Sequence, residues 1–277
     1  MGLFSFGKSS TLYFPGCLTY FKYKEYFDLY KKIFLKLGID FRVLDRNLCS
    51  GIELLEAGYD TEVRRLARQN NDIFKEENIK EIITNSPECF KVFLKDYPEI
   101  MPDWSIEVKN IWKIILDRLK DKPRLIKFKA MEVIGFHDSC YLGRYCEIYD
   151  EPRKILEIIG YEVKEMENSR EESMCCGSCG GLARTNPELA DGIAKERILQ
   201  AKRAGIKKLV VCSLDNYRLL KKNSKDVEIL EFSEVLALAL GIRKIEKDEE
   251  EIISEHEVNK IFEESDLSKS EEIIENG

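Results

Sequence analysis

Nine cysteines lie in a chain of 277 residues, and their densest grouping is Met174-Cys175-Cys176-Gly177-Ser178-Cys179-Gly180-Gly181, with three thiols and three glycines in eight residues. Adjacent cysteines do not readily bridge each other, so the pair Cys175-Cys176 calls for partners elsewhere. The flanking glycines let the backbone close around a bulky, negatively charged group. Thiolates are soft donors that select iron–sulfur clusters, zinc or Cu(I) over hard cations. Thirty-four residues lie between Cys140 and Cys175, and 35 lie between Cys176 and Cys212. Cys140, Cys175, Cys176 and Cys212 therefore form the expected ligand set, matching the four thiolates of a [4Fe–4S] cubane. Cys146 and Cys179 are held in reserve, and Asp215 offers an oxygen ligand or a supporting hydrogen bond. A four-thiolate site suits zinc as well as iron, so zinc is the alternative metal.

These residues need elements that bring them together. Short apolar strands are read at Ser10–Pro15, Ile39–Leu44, Glu81–Asn85, Glu132–Phe136, Tyr161–Met166, Lys208–Val211 and Val227–Leu230. Helical periodicity fills most of the gaps, ending at Gly38, Gly160 and Gly205. A further segment, Ile106–Leu119, reads as a strand running into a helix. Cysteine-bearing loops follow the strands in the same order twice. Cys17 and Cys140 are 123 residues apart, while Cys49 and Cys175, and Ser86 and Cys212, are each 126 apart. The spacing predicts two similar α/β repeats with mainly parallel sheets and cysteines on loops at the strand C-terminal ends. The expected divisions are 1–122, 123–244 and an acidic tail, 245–277.

From Glu246 onward, thirteen acidic residues face three lysines, so the tail carries −10 and the rest of the chain +3 of the net charge of −7. It is expected to be disordered, or to dock on a basic partner through Ile252, Ile253, Val258, Ile261 and Phe262. Basic residues are scattered among acids, which argues against a nucleic-acid face. No apolar run approaches the roughly 20 residues that span a bilayer. The apolar N-terminus, Met1–Lys8, is too short for a signal peptide. A cytoplasmic location follows, with any membrane association running through a partner. Nine cysteines in such a chain point to metal or redox chemistry before a disulfide framework.

The motifs Tyr13-Phe14-Pro15-Gly16-Cys17, His137-Asp138-Ser139-Cys140-Tyr141-Leu142-Gly143-Arg144, Tyr149-Asp150-Glu151-Pro152-Arg153 and Cys175-Cys176-Gly177 together resemble the cysteine-rich CCG-domain family. That family includes heterodisulfide reductase B and D subunits and the iron–sulfur subunit of glycolate oxidase. The resemblance spans Thr11 to Leu240 and implies a [4Fe–4S] centre in each complete repeat. The first repeat departs from the pattern. Its Cys-Cys-Gly is Cys49-Ser50-Gly51 and its Cys-x-x-Cys is Ser86-Pro87-Glu88-Cys89, leaving Cys17, Cys49 and Cys89 as a reduced ligand set. In the second repeat, Asp215 stands where the final cysteine is expected. One centre in the second repeat, with a reduced or empty first repeat, is the expectation.

His137 is expected to orient the Cys140 loop, with proton donation as its alternative role. Arg144 and Arg153 suit either a cluster's negative charge or ion pairs with Asp150 or Glu151. No Gly-x-Gly-x-x-Gly opens a helix, so flavin or nicotinamide chemistry would belong to another polypeptide. The expected function is an iron–sulfur oxidoreductase subunit passing electrons between a flavoprotein partner and an acceptor. Disulfide reduction at the cluster and a non-catalytic structural metal scaffold are the alternatives.

Overall fold

The computed structural model describes residues 9–46 and 48–242. The acidic tail, with its expected disorder or docking role, lies outside the described residues. Each repeat carries one parallel sheet. In the first, β1 (Thr11–Tyr13), β2 (Glu81–Ile83) and β3 (Glu107–Val108) lie in the order β1-β2-β3. The expected strand Ile39–Leu44 contracts to a single parallel bridge between Arg42 and Leu12. In the second, β4 (Val133–His137), β5 (Glu162–Lys164), β6 (Lys208–Val211) and β7 (Glu228–Glu231) take the order β5-β4-β6-β7. Every strand pairing is parallel, so each strand end carrying a cysteine loop opens toward the same edge of its sheet. Leu209, Val210 and Val211 are fully buried, as strands covered on both faces require.

The helices that cover the sheets begin and end on local signals. Helix α1 (Lys24–Leu37) stops at Gly38, whose φ of 67° lets its N–H reach back to Leu35 while Ile39 bonds Phe34. A π-helical turn, Leu18–Lys22, precedes α1. A short helix, α2 (Ile52–Ala57), follows Cys49 where no element is expected from the sequence. Next come α3 (Asp60–Glu76), α4 (Pro87–Lys91), α5 (Tyr97–Ile100) and α6 (Ile111–Asp121). The second repeat supplies α7 (Asp150–Ile158), α8 (Leu182–Thr185), α9 (Pro187–Arg203), α10 (Leu214–Asn223) and α11 (Phe232–Ala239). Helix α9 starts where the Asn186 side chain accepts from Leu189 N, with Pro187 in the first turn.

The repeats share one apolar core. Tyr13, Phe34 and Trp112 of the first are buried in the same cluster as Phe136, Val210 and Phe232 of the second. Helix α1 packs on α11, and α6 on α7. A polar link crosses this core, with Tyr30 Oη donating to Glu231 Oε1 at 2.7 Å while Glu231 also accepts from Ser233 N at 2.6 Å.

The register of the two sheets corrects one equivalence. Leu12 faces Ile82, and Gly135 faces Leu209, so the first strand repeats after 123 residues and the next after 127. The helix caps agree. Ser86 Oγ accepts from Cys89 N at 3.2 Å, and Ser213 Oγ accepts from Asn216 N at 3.4 Å. Ser86 therefore corresponds to Ser213, and Cys212 to Asn85. Side chains alternate along an extended segment, so a shift of one residue re-aims the side chain. Asn85 accepts from Tyr13 Oη at 2.8 Å, whereas Cys212 is buried against Trp112 in the shared core.

Burial pushes the Glu231 carboxyl up to about 7. The native state thus holds a proton that the unfolded chain releases near pH 4.3, and this carboxyl's contribution to stability falls as pH rises from about 4 to 7. Glu231→Gln removes that fall. Its stability relative to the parent chain, read from guanidinium midpoints, is expected to improve by roughly 3 kcal/mol between pH 4.5 and 7.5.

Candidate metal centre

Strand β4 delivers Cys140, and the loop between β5 and α8 delivers Cys175 and Cys179. The sulfurs of these three lie within 4.8 Å of one another, the one such group of potential ligands among the described residues. Cys140 is buried and the other two are partly exposed. Hydrogen bonds from Cys140 and then Cys179 hold Cys175 well below the usual thiol range. The same contact raises Cys140 to about 11. The backbone assists, because Gly177 N–H donates to Cys175 Sγ at 3.3 Å. Gly177 is needed there on two counts. Its φ is 91°, and a Cβ would stand 2.7 Å from the Ala190 carbonyl oxygen. The first repeat keeps this turn, with Gly51 at φ 87° donating to Cys49 Sγ at 3.4 Å.

Three arginines position the loops. Arg153, only 3% exposed, makes a bidentate pair with Asp138 at 2.6 and 2.8 Å and a second with Glu165 at 2.6 and 2.9 Å. The expected ion pairs with Asp150 or Glu151 are not those formed; Asp150 bonds Arg170 instead. Asp138 Oδ2 also accepts from Arg170 N at 2.8 Å, tying the Cys140 loop to the segment entering Cys175. Arg144 donates to Ser173 O at 2.5 Å and to Cys140 Sγ at 2.7 Å. Arg197 is fully buried and donates to His137 Nδ1 (3.1 Å), Asn168 O (2.7 Å), Gln200 Oε1 (2.6 Å) and Ser173 Oγ (3.2 Å). Among the described residues its hydrogen-bond partners include no carboxylate. Burial, then the Arg197 charge, pushes His137 down to about 3. It is neutral near pH 7, with its Nδ1 accepting from Arg197 and its Nε2 buried and unpartnered.

The other expected ligands lie apart. Cys176 is buried beside the group and accepts from Asn216 Nδ2 at 3.3 Å; burial raises it to about 12. Cys212 faces Trp112 and is raised by burial, then Glu231. Burial, then the Glu88 charge, pushes Asp215 up to about 7. Cys146 is partly exposed. Cys17 Sγ donates to Leu48 O at 3.8 Å, Cys49 Sγ accepts from Gly51 N, and Cys89 is buried and accepts from Ser50 Oγ at 3.2 Å. Glu56, on α2, reaches across to the second repeat. It accepts from Tyr141 Oη and, at 2.7 Å, from Gly180 N. The hexapeptide Ile52–Ala57, bracketed by Gly51 and Gly58, is the sequence signal for the helix that carries it.

The donor set suits an anionic iron–sulfur group. Three converging thiols supply its usual ligands. Among the described residues, Arg144 and Arg197 supply cationic charge with no carboxylate hydrogen-bond partner, and the unpartnered His137 Nε2 and Ser139 Oγ supply donors for an acceptor-rich group. Arg153→Met leaves Asp138 charged, buried and short of its main partner. It is expected to cost about 3–5 kcal/mol, read as a lowered denaturation midpoint.

A family model described as cysteine-rich domain matches residues 11–93 and 134–214. The probable iron-sulfur-binding oxidoreductase FadF of Bacillus subtilis is 34% identical over 62% of this chain and 24% of its own length. The D subunit of the dihydromethanophenazine:CoB--CoM heterodisulfide reductase of Methanosarcina mazei is 28% identical over 70% of this chain and 49% of its own. The B subunit of the fumarate reductase (CoM/CoB) of Methanothermobacter marburgensis is 28% identical over 82% of this chain and 46% of its own. The chain thus spans half or less of the length of these relatives. No helix among the described residues is long and apolar enough to cross a membrane. The two matched segments lie one in each parallel-sheet repeat, the first spanning β1 and β2 and the second reaching from β4 to the start of α10, and the chain belongs to the cysteine-rich CCG-domain family.

Proposed function

We propose that the second repeat, residues 123–244, holds a [4Fe–4S] centre and that the chain is a redox subunit passing electrons between a flavoprotein partner and an acceptor. One observation carries this reading. Among the described residues, a fully buried Arg197 stands without a carboxylate hydrogen-bond partner beside three convergent thiols, an arrangement that an anionic, thiolate-bound group would balance. Such a group supplies one-electron transfer when bound. Cys140, Cys175 and Cys179 hold it, and Cys176, next to Cys175 in the chain, is the candidate fourth thiol. Arg144 and Arg197 balance its charge, and the buried, unpartnered donors of His137 and Ser139 are available to an acceptor. The first repeat, residues 1–122, lacks the second thiol of its Cys-Cys-Gly turn and is the degenerate partner. The relatives are named as oxidoreductases or as parts of reductases, which supports a redox partner. The chain itself has no glycine-rich dinucleotide turn, so a flavin belongs to that partner.

Anaerobic purification followed by iron and acid-labile sulfide analysis tests this proposal. Iron and sulfide in equal amounts, close to one cubane per chain, are expected, with loss of most of both in Cys175→Ala and Cys179→Ala. Cys212→Ala, whose thiol faces Trp112, is expected to keep its iron; loss there together with retention in Cys176→Ala would move the fourth position to Cys212. Zinc alone, or no metal, would sink the proposal.

A further inference from the structure

Helix α2 belongs to the first repeat, but two of its side chains are bonded to the second. Ile52 and Leu55, three residues apart on one face, are half-buried against the first-repeat cluster that contains Leu12, Phe14 and Phe93. Glu53 and Glu56, also three apart, lie on a neighbouring face and reach across. Glu53 Oε2 accepts from Arg184 Nη1, on α8, at 2.7 Å. Glu56 Oε1 accepts from Gly180 N at 2.7 Å and from Tyr141 Oη. Tyr141 follows Cys140, and Gly180 follows Cys179. One oxygen atom therefore holds a donor from each of two thiol loops, and two donors on one oxygen stand no more than about 6 Å apart.

Packing does little to fix the end of the Cys179 loop. Gly180 and Gly181 both have φ of 68°, and a Cβ on either would meet nothing within 4 Å. Gly177, by contrast, is closed in by Ala190. Glycine loses more freedom on ordering than any other residue, so such a segment takes its place from the bonds that hold it. Asn216 Nδ2 holds Ser178 Oγ at 2.7 Å on the side toward Cys176. On the far side of Cys179 the tie is Glu56, whose carboxylate makes the stronger, charge-assisted kind of hydrogen bond. Helix α2 is itself bracketed by Gly51 and Gly58 in left-handed conformations and buries none of its residues completely. Its place thus depends on Ile52 and Leu55 and on what its glutamates grip.

We propose that Glu56 is a positioning residue for the thiol site of the second repeat: its bridging oxygen seats Cys179 beside Cys140 and Cys175. This deepens the proposed function and rests on the reading of those three thiols as metal ligands. Glu56 acts through Tyr141 and Gly180. The first repeat, short of thiols of its own, thereby completes the site of the second. Placement of the oxygen does this, so an amide that keeps the oxygen does it too.

The test uses the full chain, reduced and freed of metal under anaerobic conditions, then titrated with Co2+. Thiolate-to-cobalt charge-transfer absorbance reports sulfur ligands directly, and the part of it lost in Cys175→Ala defines the second-repeat site. Cys179→Ala and Glu56→Ala are each expected to weaken Co2+ binding there about 10–100-fold. Because Glu56 acts through the placing of Cys179, the double variant is expected to bind no more than about twofold more weakly than Cys179→Ala alone. Glu56→Gln is expected to bind within about twofold of the parent chain. The guanidinium midpoint of Glu56→Ala is expected to match the parent's, since α2 buries no residue completely. Unchanged Co2+ binding in Glu56→Ala, losses that multiply in the double variant, Glu56→Gln as weak as Glu56→Ala, or no signal that depends on Cys175 would each overturn the inference. Iron and sulfide measured on the chain as purified report the proposed centre separately. A parent chain without iron that still couples Glu56 to Cys179 in Co2+ binding sinks the iron–sulfur reading and supports this one.

Discussion

Buried charge is the constraint on which the second repeat depends. Asp138 and Arg153 are both almost entirely removed from water, and neither is tolerable there alone. Their bidentate pair is useful because it joins three parts of the chain. Asp138 sits two residues before Cys140, Arg153 lies on α7, and the amide of Arg170, which also bonds Asp138, opens the segment entering Cys175. Cys140 and Cys175 are thereby held close by a network that would be costly to rearrange. Arg144 and Arg197 meet at Ser173, one on its carbonyl and one on its hydroxyl, so the same short segment is gripped from both sides.

That network leaves a charge imbalance at the thiols. Arg153 is neutralised by Asp138 and Glu165, but Arg197 is buried among neutral acceptors. Thiolates beside it relieve the imbalance, and they are also what an iron–sulfur group requires of its ligands. His137 takes its place in this balance as a neutral acceptor for Arg197. Desolvation and the adjoining cation both oppose its protonation.

The two repeats diverge chemically on one backbone plan. Gly51 and Gly177 make the same left-handed turn and donate the same N–H to a cysteine sulfur two residues earlier. What differs is the neighbouring side chain: Cys176 in one repeat, Ser50 in the other. Ser50 turns its hydroxyl onto Cys89. The repeats also meet directly, where Glu56 of α2 caps Gly180 beside Cys179. A change in either turn is therefore felt close to both sets of thiols.

The alternation of short β-rich runs with helical periods was legible in the chain itself, as were Gly38 and Gly160 as helix stops, the duplication, and the convergence of Cys140 with Cys175. Those features are local, or repeat at a fixed interval, so residue type and spacing suffice to show them. Three others were not legible. The strand expected at Ile39–Leu44 survives as one bridge, because strand extent is set by the partner it finds. Cys179 joined the thiol group through the path of a glycine-rich loop, which spacing does not specify. Cys212 was placed one residue out of register by sequence spacing, since 126 and 127 residues are nearly indistinguishable along a chain but point a side chain to different sides of a strand end. The sequence by itself determined the family, the repeat and the supply of thiols. Only the tertiary structure decided which thiols meet, because that depends on strand register and on the buried ion pairs that close the loops over them.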